Sequence, residues 1–311
     1  FAMVQTAPRK LEPMDLPIPE IDADSGLVRI EACGICGSDY EQFEGALRTP
    51  MPAIPGHEPL GIVAAIGDRA AKRWGVDVGD RIAVETMLSC HHCGPCLGGS
   101  YHLCDARRIY SYIPLSEEPG LWGSYAQYMY LDPNAVIHKV DPELSPETAV
   151  MFNPLGAGFR WAVEIPQTGP GDTVVILGPG QRGLACVLAC REAGAKKIIV
   201  TGLEADAAKL ALAREFGAHA TIDVQNENPR NRIRELTDGN GVAAVYDGVG
   251  ASTFDASLAS LAVRGTLALF GAASGPVPPV DPQRLNAAGS VYLTRPNLAH
   301  YTRTPDEFSW R

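Results

Sequence analysis

Two apolar patterns divide the chain. Up to about residue 142 the apolar runs are short, as at 27–32, 61–66 and 81–85, with turn signals such as Val78-Gly79-Asp80-Arg81 between them. Short runs bounded by Gly, Pro and Asp predict an irregular β-rich domain. Beyond it, 145–162 predicts a helix with Ser145 as N-cap and Pro146 at the first helical position. Apolar runs then alternate with amphipathic stretches, predicting strands at 173–177, 197–201, 242–246 and 266–270 and helices over 183–193, 206–216 and near 253–261. Uninterrupted apolar strands separated by helices predict parallel pairing with both sheet faces covered. The expected fold class is α/β, with a β-rich domain over 1–155 and a doubly wound parallel sheet over 156–311. No internal repeat or low-complexity segment interrupts it.

Composition narrows the setting. The 311 residues are 46% apolar and 20% charged, an ordinary globular balance. A net charge of -10 disfavours nucleic acid and anionic membrane surfaces as partners. No apolar run approaches the roughly 18 residues of a bilayer span, and no basic-then-apolar segment opens the chain, so a cytoplasmic protein is expected. Of the eight cysteines, four fall within 90–104 and two more are Cys33 and Cys36. Clustered cysteines in a long chain without a signal segment read as metal ligands before disulfides.

Cys90, Cys93, Cys96 and Cys104 are spaced Cys-x2-Cys-x2-Cys-x7-Cys. Four thiolates at these intervals can wrap one tetrahedral Zn²⁺ and leave no position for substrate, which makes the site structural. An iron–sulfur cluster is the alternative four-thiolate reading. His91, His92 and His102 lie among the cysteines as bystanders. Cys36 and His57 could hold a second zinc, with the Ser38 hydroxyl two residues beyond the cysteine able to approach a substrate. Taken alone, a lone cysteine and a lone histidine read as core residues more often than as ligands.

The run 173–177 leads into Gly178-Pro179-Gly180-Gln181-Arg182-Gly183 and then a helix. Strand, glycine loop, helix and a second strand within about 30 residues form a dinucleotide-binding context. Gly178 suits the tight turn, Gly180 the approach of a pyrophosphate and Gly183 close helix–strand packing; Gln181 and Arg182 complete the loop. Gly202 stands where an acid would hold the adenosine ribose, and Glu204 follows two residues later, so NAD and NADP both remain open.

Together these residues resemble the medium-chain dehydrogenase/reductase superfamily in its zinc-binding alcohol dehydrogenase branch. The resemblance is carried by Gly34-Ile35-Cys36-Gly37-Ser38-Asp39, Pro55-Gly56-His57-Glu58, the lobe at 90–104 and the motif at 178–183. It implies a GroES-like catalytic domain joined to a Rossmann domain, with Cys36 and His57 as catalytic zinc ligands. It further implies Ser38 as a proton-relay hydroxyl, Asp39 as the partner of His57, Glu58 as a carboxylate beside the metal, and Phe270, Gly271 and Ala272 as nicotinamide contacts. The expected reaction is hydride transfer between an alcohol or polyol and NAD(P), in a homodimer or homotetramer whose subunits pair through the edge strand near 290–293.

The sequence departs from that pattern in places. A third zinc ligand is expected where Asn153 stands, and a neutral amide is a poor ligand, leaving Glu58 or water to complete the shell or a site that binds metal weakly. Glu41 stands near the usual place of a relay histidine. From Val245 to Pro296 the chain resembles the quinone oxidoreductase branch, which implies a zinc-independent NADPH quinone or enone reductase as the rival reading; a catalytically silent scaffold is the third. The chain starts at Phe1, and a helix near Thr304 is cut at Arg311 where relatives return to the catalytic domain. Cys33, Cys186 and Cys190 are expected in the core. Tyr40, Phe43 and Trp122 are expected to pack or to line a substrate pocket.

Overall fold

The computed structural model describes residues 1–98 and 100–296, without the His102 side chain. The expected helix near Thr304 therefore lies outside the described residues. The chain divides into two compact units that meet between Asn153 and Pro154.

The first unit is built on a five-stranded antiparallel sheet ordered Tyr128–Leu131, Gly26–Cys33, Pro59–Ile66, Arg81–Val84 and Ile137–Lys139. The pairing Val28–Val63 and Leu60–Ala83 sets its register. Its core gathers Val28, Val63, Ile82, Met129 and Leu131, all within 1% of full burial. Trp122 joins that core and meets Tyr130 edge-on at 5.1 Å, so it packs and does not line a pocket. The register slips between Ile30 and Ala32, just before the strand runs out toward Cys36. Such a bulge bends the strand and re-aims the residues beyond it.

The second unit holds a six-stranded parallel sheet in the order Ala220–Asp223, Lys197–Gly202, Thr173–Leu177, Val242–Asp247, Leu261–Leu269, Tyr292–Thr294. Numbered along the unit this is 3-2-1-4-5-6, whose switch point lies between the first and fourth strands. Alternate residues of Thr173–Leu177 feed two cores. Val174 and Ile176 face one, with Cys186 and Cys190, while Val175 and Leu177 face the other. Both cysteines are fully buried, as expected. The strand Ala220–Asp223 and the helix Pro229–Leu236 carry too few apolar residues to be read from pattern alone.

The expected helix over 145–162 is broken into pieces. Ser145 does cap Pro146–Ala149, accepting from the Thr148 N–H at 3.3 Å. The chain then restarts as Phe152–Phe159 and widens into a π-helical turn at Arg160–Glu164. Pro154 explains the restart, because it has no N–H to give and fits only within a first turn.

Candidate active site and metal centre

Cys36 ends an extended segment and caps the helix Gly37–Glu44. Asp39, in the first turn, accepts the Cys36 N–H at 2.7 Å through Oδ2. Its other oxygen lies 3.1 Å from His57 Nδ1, somewhat off the hydrogen-bond line. One buried carboxylate thus holds both the cysteine backbone and the imidazole.

His57 arrives from a different segment, through a corner at Gly56. There φ is +90°, and a Cβ would stand 2.5 Å from the Tyr125 ring and 2.8 Å from Ser124 Oγ. Only glycine allows that turn against those neighbours. Glu58 is next in the chain and is 1% exposed.

Cys36, His57 and Glu58 bring one ligand atom each within 4.8 Å of the others. Ser38 Oγ lies 3.3 Å from His57 Nε2. Burial disfavours the imidazolium, but Asp39 and Cys36 outweigh it and pull the His57 pKa up to about 10. That concentration of thiol and carboxylate in a buried space is what a divalent cation neutralises, so the donor set fits zinc. Asn153, second in the helix Phe152–Phe159, is partly buried and offers only its amide.

Two tyrosines that sequence reasoning passed over stand at the same site. The Tyr112 ring is 6.2 Å from that of His57. Burial raises the Tyr112 pKa, and the charges of Asp39, Cys36 and Glu41 push the same way, so it stays a neutral phenol. Tyr125 packs on Gly56; burial first, then the charges of Asp39, Cys33 and Glu58, raise its pKa. Both lie far in sequence from the motifs they touch, so no spacing signals them. Cys33, expected in the core, is only partly buried and sits 2.9 Å from Ser124 Oγ. Tyr40 is 64% exposed.

The four lobe cysteines also converge within 4.8 Å. Cys90 Sγ and Cys96 Sγ are 3.9 Å apart. With Zn–S bonds of about 2.3 Å, tetrahedral geometry puts ligand sulfurs about 3.8 Å apart. Backbone N–H groups of Cys93 and Cys90 point at Cys90 Sγ and Cys104 Sγ, each at 3.3 Å. Backbone hydrogen bonds, chiefly at His92, lower the Cys90 pKa to about 6, while burial and the neighbouring Cys93 and Cys104 raise Cys96 to about 12. Crowded thiols that resist joint ionisation become thiolates together once a cation is among them. His91 and His92 contact the backbone carbonyls of Asn134 and Cys90.

In the second unit the helix Gln181–Glu192 starts directly after Gly180, two residues earlier than expected. Gln181 and Arg182 are thereby its first turn. A Cβ on Gly183 would lie 2.0 Å from the Gly178 carbonyl oxygen, so the third glycine is required for loop and helix to pack. A Cβ on Gly180 would meet nothing within 4 Å, and Gly180 gives the first turn no side-chain cap. The open space at a helix N-terminus, where backbone N–H groups and the helix dipole favour anions, fits a pyrophosphate. The Arg182 guanidinium lies 4.7 Å from the Trp161 ring centre, and Trp161 stacks on Phe270 at 5.0 Å and 8°. Gly271 and Ala272 come after Phe270, beyond the strand Leu261–Leu269. Gly202 ends its strand, and the exposed Glu204 donates its N–H to Gln225 at 2.9 Å.

Residues 22–142 match the alcohol dehydrogenase GroES-like domain, and 183–304 match the zinc-binding dehydrogenase domain. A sorbitol dehydrogenase from Bacillus subtilis is 32% identical over 275 residues, covering 87% of this chain and 74% of its own length. The chain belongs to the zinc-binding dehydrogenase family. A probable alcohol dehydrogenase from Mycobacterium tuberculosis is 50% identical over 242 residues, 76% of this chain. The chain spans 66% of the length of that relative. Among solved structures, a mycobacterial quinone oxidoreductase aligns with a TM-score of 0.76 and 37% identity, over 99% of this chain and 85% of its own. The GroES-like antiparallel sheet and the Rossmann sheet both accord with this family. Among the described residues no helix is long and apolar enough to cross a membrane.

Proposed function

We propose that this family member oxidises an alcohol or polyol to an aldehyde or ketone, and runs the reverse reduction, with NAD or NADP. The observation that carries the reading is the convergence of Cys36, His57 and Glu58 within 4.8 Å beside the Ser38 hydroxyl. Cys36, His57 and Glu58 would hold the catalytic zinc, with Glu58 supplying the third protein ligand in place of Asn153. When bound, the metal supplies Lewis acidity that lowers a hydroxyl's pKa and stabilises negative charge on oxygen.

The chain's own residues do the rest. Asp39 fixes the orientation of the His57 ring so that Nε2 faces the ligand cluster. Ser38 accepts the proton of the substrate hydroxyl. Gly178, Gly180 and Gly183, with Gln181 and Arg182 in the first helical turn, hold the dinucleotide phosphates. Gly202 and Glu204 would lie at the adenosine end of the dinucleotide and Phe270, Gly271 and Ala272 at its nicotinamide end, where the bound cofactor would supply hydride-transfer chemistry. Cys90, Cys93, Cys96 and Cys104 hold the structural zinc.

Self-association as a homodimer or homotetramer belongs to the same reading. Tyr292–Thr294 is a sheet-edge strand and Tyr292 is 63% exposed. The eight free cysteines suit a reducing, cytoplasmic setting.

The second reading, a zinc-independent quinone or enone reductase, is favoured by the likeness to the mycobacterial quinone oxidoreductase over 99% of the chain. Zinc analysis with stepwise chelation separates the two. Two zincs per chain, with alcohol-dependent NAD(P) reduction lost as the second is stripped, support the dehydrogenase. One zinc, and enone reduction indifferent to chelation, would establish the reductase.

A further inference from the structure

We propose that Trp161 is a positioning residue of the dinucleotide site: stacked on Phe270, it holds the Arg182 guanidinium ready for the phosphates. The inference rests on the reading above, in which Arg182 meets the dinucleotide phosphates.

Three segments meet here because two glycines let them close up. A Cβ on Gly158 would stand 2.8 Å from the Ala185 backbone, so the helix Phe152–Phe159 touches the helix Gln181–Glu192 with nothing between them. Three residues past Gly158 stands Trp161, and three residues before Ala185 stands Arg182. The guanidinium lies 4.7 Å from the indole centre. Phe270 comes from the sheet instead. Its N–H donates to the Asp247 carbonyl at 2.9 Å, and a Cβ on Gly248 would stand 3.0 Å from its ring. The ring therefore lies over a bare stretch of backbone, where it stacks on the indole at 5.0 Å and 8°. The turn that carries Trp161 is pinned as well, since the Ala162 carbonyl accepts the buried Tyr246 hydroxyl at 2.6 Å.

The residue type carries the argument further. Trp161 is 4% exposed, and its indole N–H has no acceptor among the described residues. A stack on Phe270 needs a flat ring and no N–H, and an unpaired buried donor costs stability. What an indole adds over a phenyl ring is the stronger face for a cation. A guanidinium held by a ring face makes no hydrogen bond in that contact. It is also ordered in advance, so it gives up less rotamer freedom when it meets a phosphate. Trp161 thus acts through Arg182.

The test is calorimetric titration of the zinc-loaded protein with NAD and with NADP. Trp161→Leu should weaken whichever dinucleotide binds more tightly by about 3- to 30-fold, the range of a cation–ring contact. Trp161→Phe should lose less, because a phenyl ring keeps part of the attraction. Arg182→Leu leaves the aromatic stack in place and should weaken binding at least as much as Trp161→Leu, which keeps the proposal testable should Trp161→Leu fail to fold. Adding Trp161→Leu to Arg182→Leu should cost little more, because the two side chains act as one unit. In turnover the loss should appear in KM for the dinucleotide, with kcat near the wild-type value.

Unchanged affinity in Trp161→Leu or in Arg182→Leu would overturn the proposal, as would fully additive losses in the double variant. A wild-type protein that binds a dinucleotide with the expected Trp161→Leu loss but turns over no alcohol would overturn the dehydrogenase reading alone. A wild-type protein that binds neither NAD nor NADP would overturn the cofactor placement, and this proposal with it.

Discussion

Cys90, Cys93, Cys96 and Cys104 come from one stretch of chain with little regular structure, a four-residue helix and a short 3-10 turn. Cys36, His57 and Glu58 come from two segments placed by a helix cap, a glycine corner and the start of a strand. The first cluster is all sulfur, supplies all four tetrahedral positions itself and has three of its members only partly buried. The second mixes sulfur, nitrogen and oxygen, offers three ligands and stands beside the Ser38 hydroxyl and the Tyr112 ring. A closed set of thiolates can only hold a fold together, while an open mixed set can admit a substrate. The loss of either metal should therefore show in different measurements.

The largest effect is expected in the lobe. Structural zinc in small domains is worth about 10–16 kcal/mol of binding free energy, and the lobe has almost no other framework. Cys104→Ser should lose that zinc, lower thermal stability by several kcal/mol and give a protein that aggregates on expression. Zinc analysis beside thermal unfolding checks it. A Cys104→Ser protein as stable as wild type would remove the structural role from this cluster.

Cys36→Ser should do the reverse. Alcohol turnover is expected to drop by at least about 10³-fold, since metal polarisation supplies several kcal/mol of transition-state stabilisation. One zinc should remain, and melting should shift little. Retained turnover with a single zinc would sink the catalytic assignment.

Asp39→Asn comes next. It keeps the shape but weakens the hold on both the Cys36 backbone and the His57 ring. Loss of such a partner typically costs 10- to 100-fold in metal affinity or activity. Titration with a competing chelator should show weaker binding at the catalytic site and unchanged binding in the lobe. Equal weakening at both would mean that Asp39 supports the unit as a whole.

The same contrast explains what the sequence could and could not reveal. The lobe is legible because all four ligands sit within one short window, where spacing alone limits the geometry. The parallel sheet is legible for a similar reason: runs such as 173–177 are apolar on both faces and bounded by glycines. Cys36 and His57 became readable only through family likeness, because their meeting depends on a strand pairing and on the Gly56 corner. Tyr112 and Tyr125 were not readable at all. Each reaches the site through packing, one by way of Gln42 and Ser111, the other against Gly56. The broken helix after Ser145 failed for a local reason, since apolar periodicity continues through Pro154 while the hydrogen bonds cannot.

Asn153→Glu should have the smallest effect, and it sharpens the comparison most. Its neighbour Phe152 packs against the cluster of Leu60, Ala83 and Ala149, so the start of that helix is anchored beside the strand that begins just after Glu58. A carboxylate at 153 is thus offered close to the residue that already supplies one. If Cys36, His57 and Glu58 are the three protein ligands, a further carboxylate adds charge to a satisfied set, and zinc affinity should change by less than about tenfold, or 1.4 kcal/mol. Competition with a chelator of known strength measures this directly. A tightening of 100-fold or more would mean that the native site lacks a ligand at 153 and that Glu58 serves another purpose. The double variant Glu58→Gln, Asn153→Glu then decides which carboxylate the metal uses: weak binding keeps Glu58 as the ligand, and full binding moves the role to position 153.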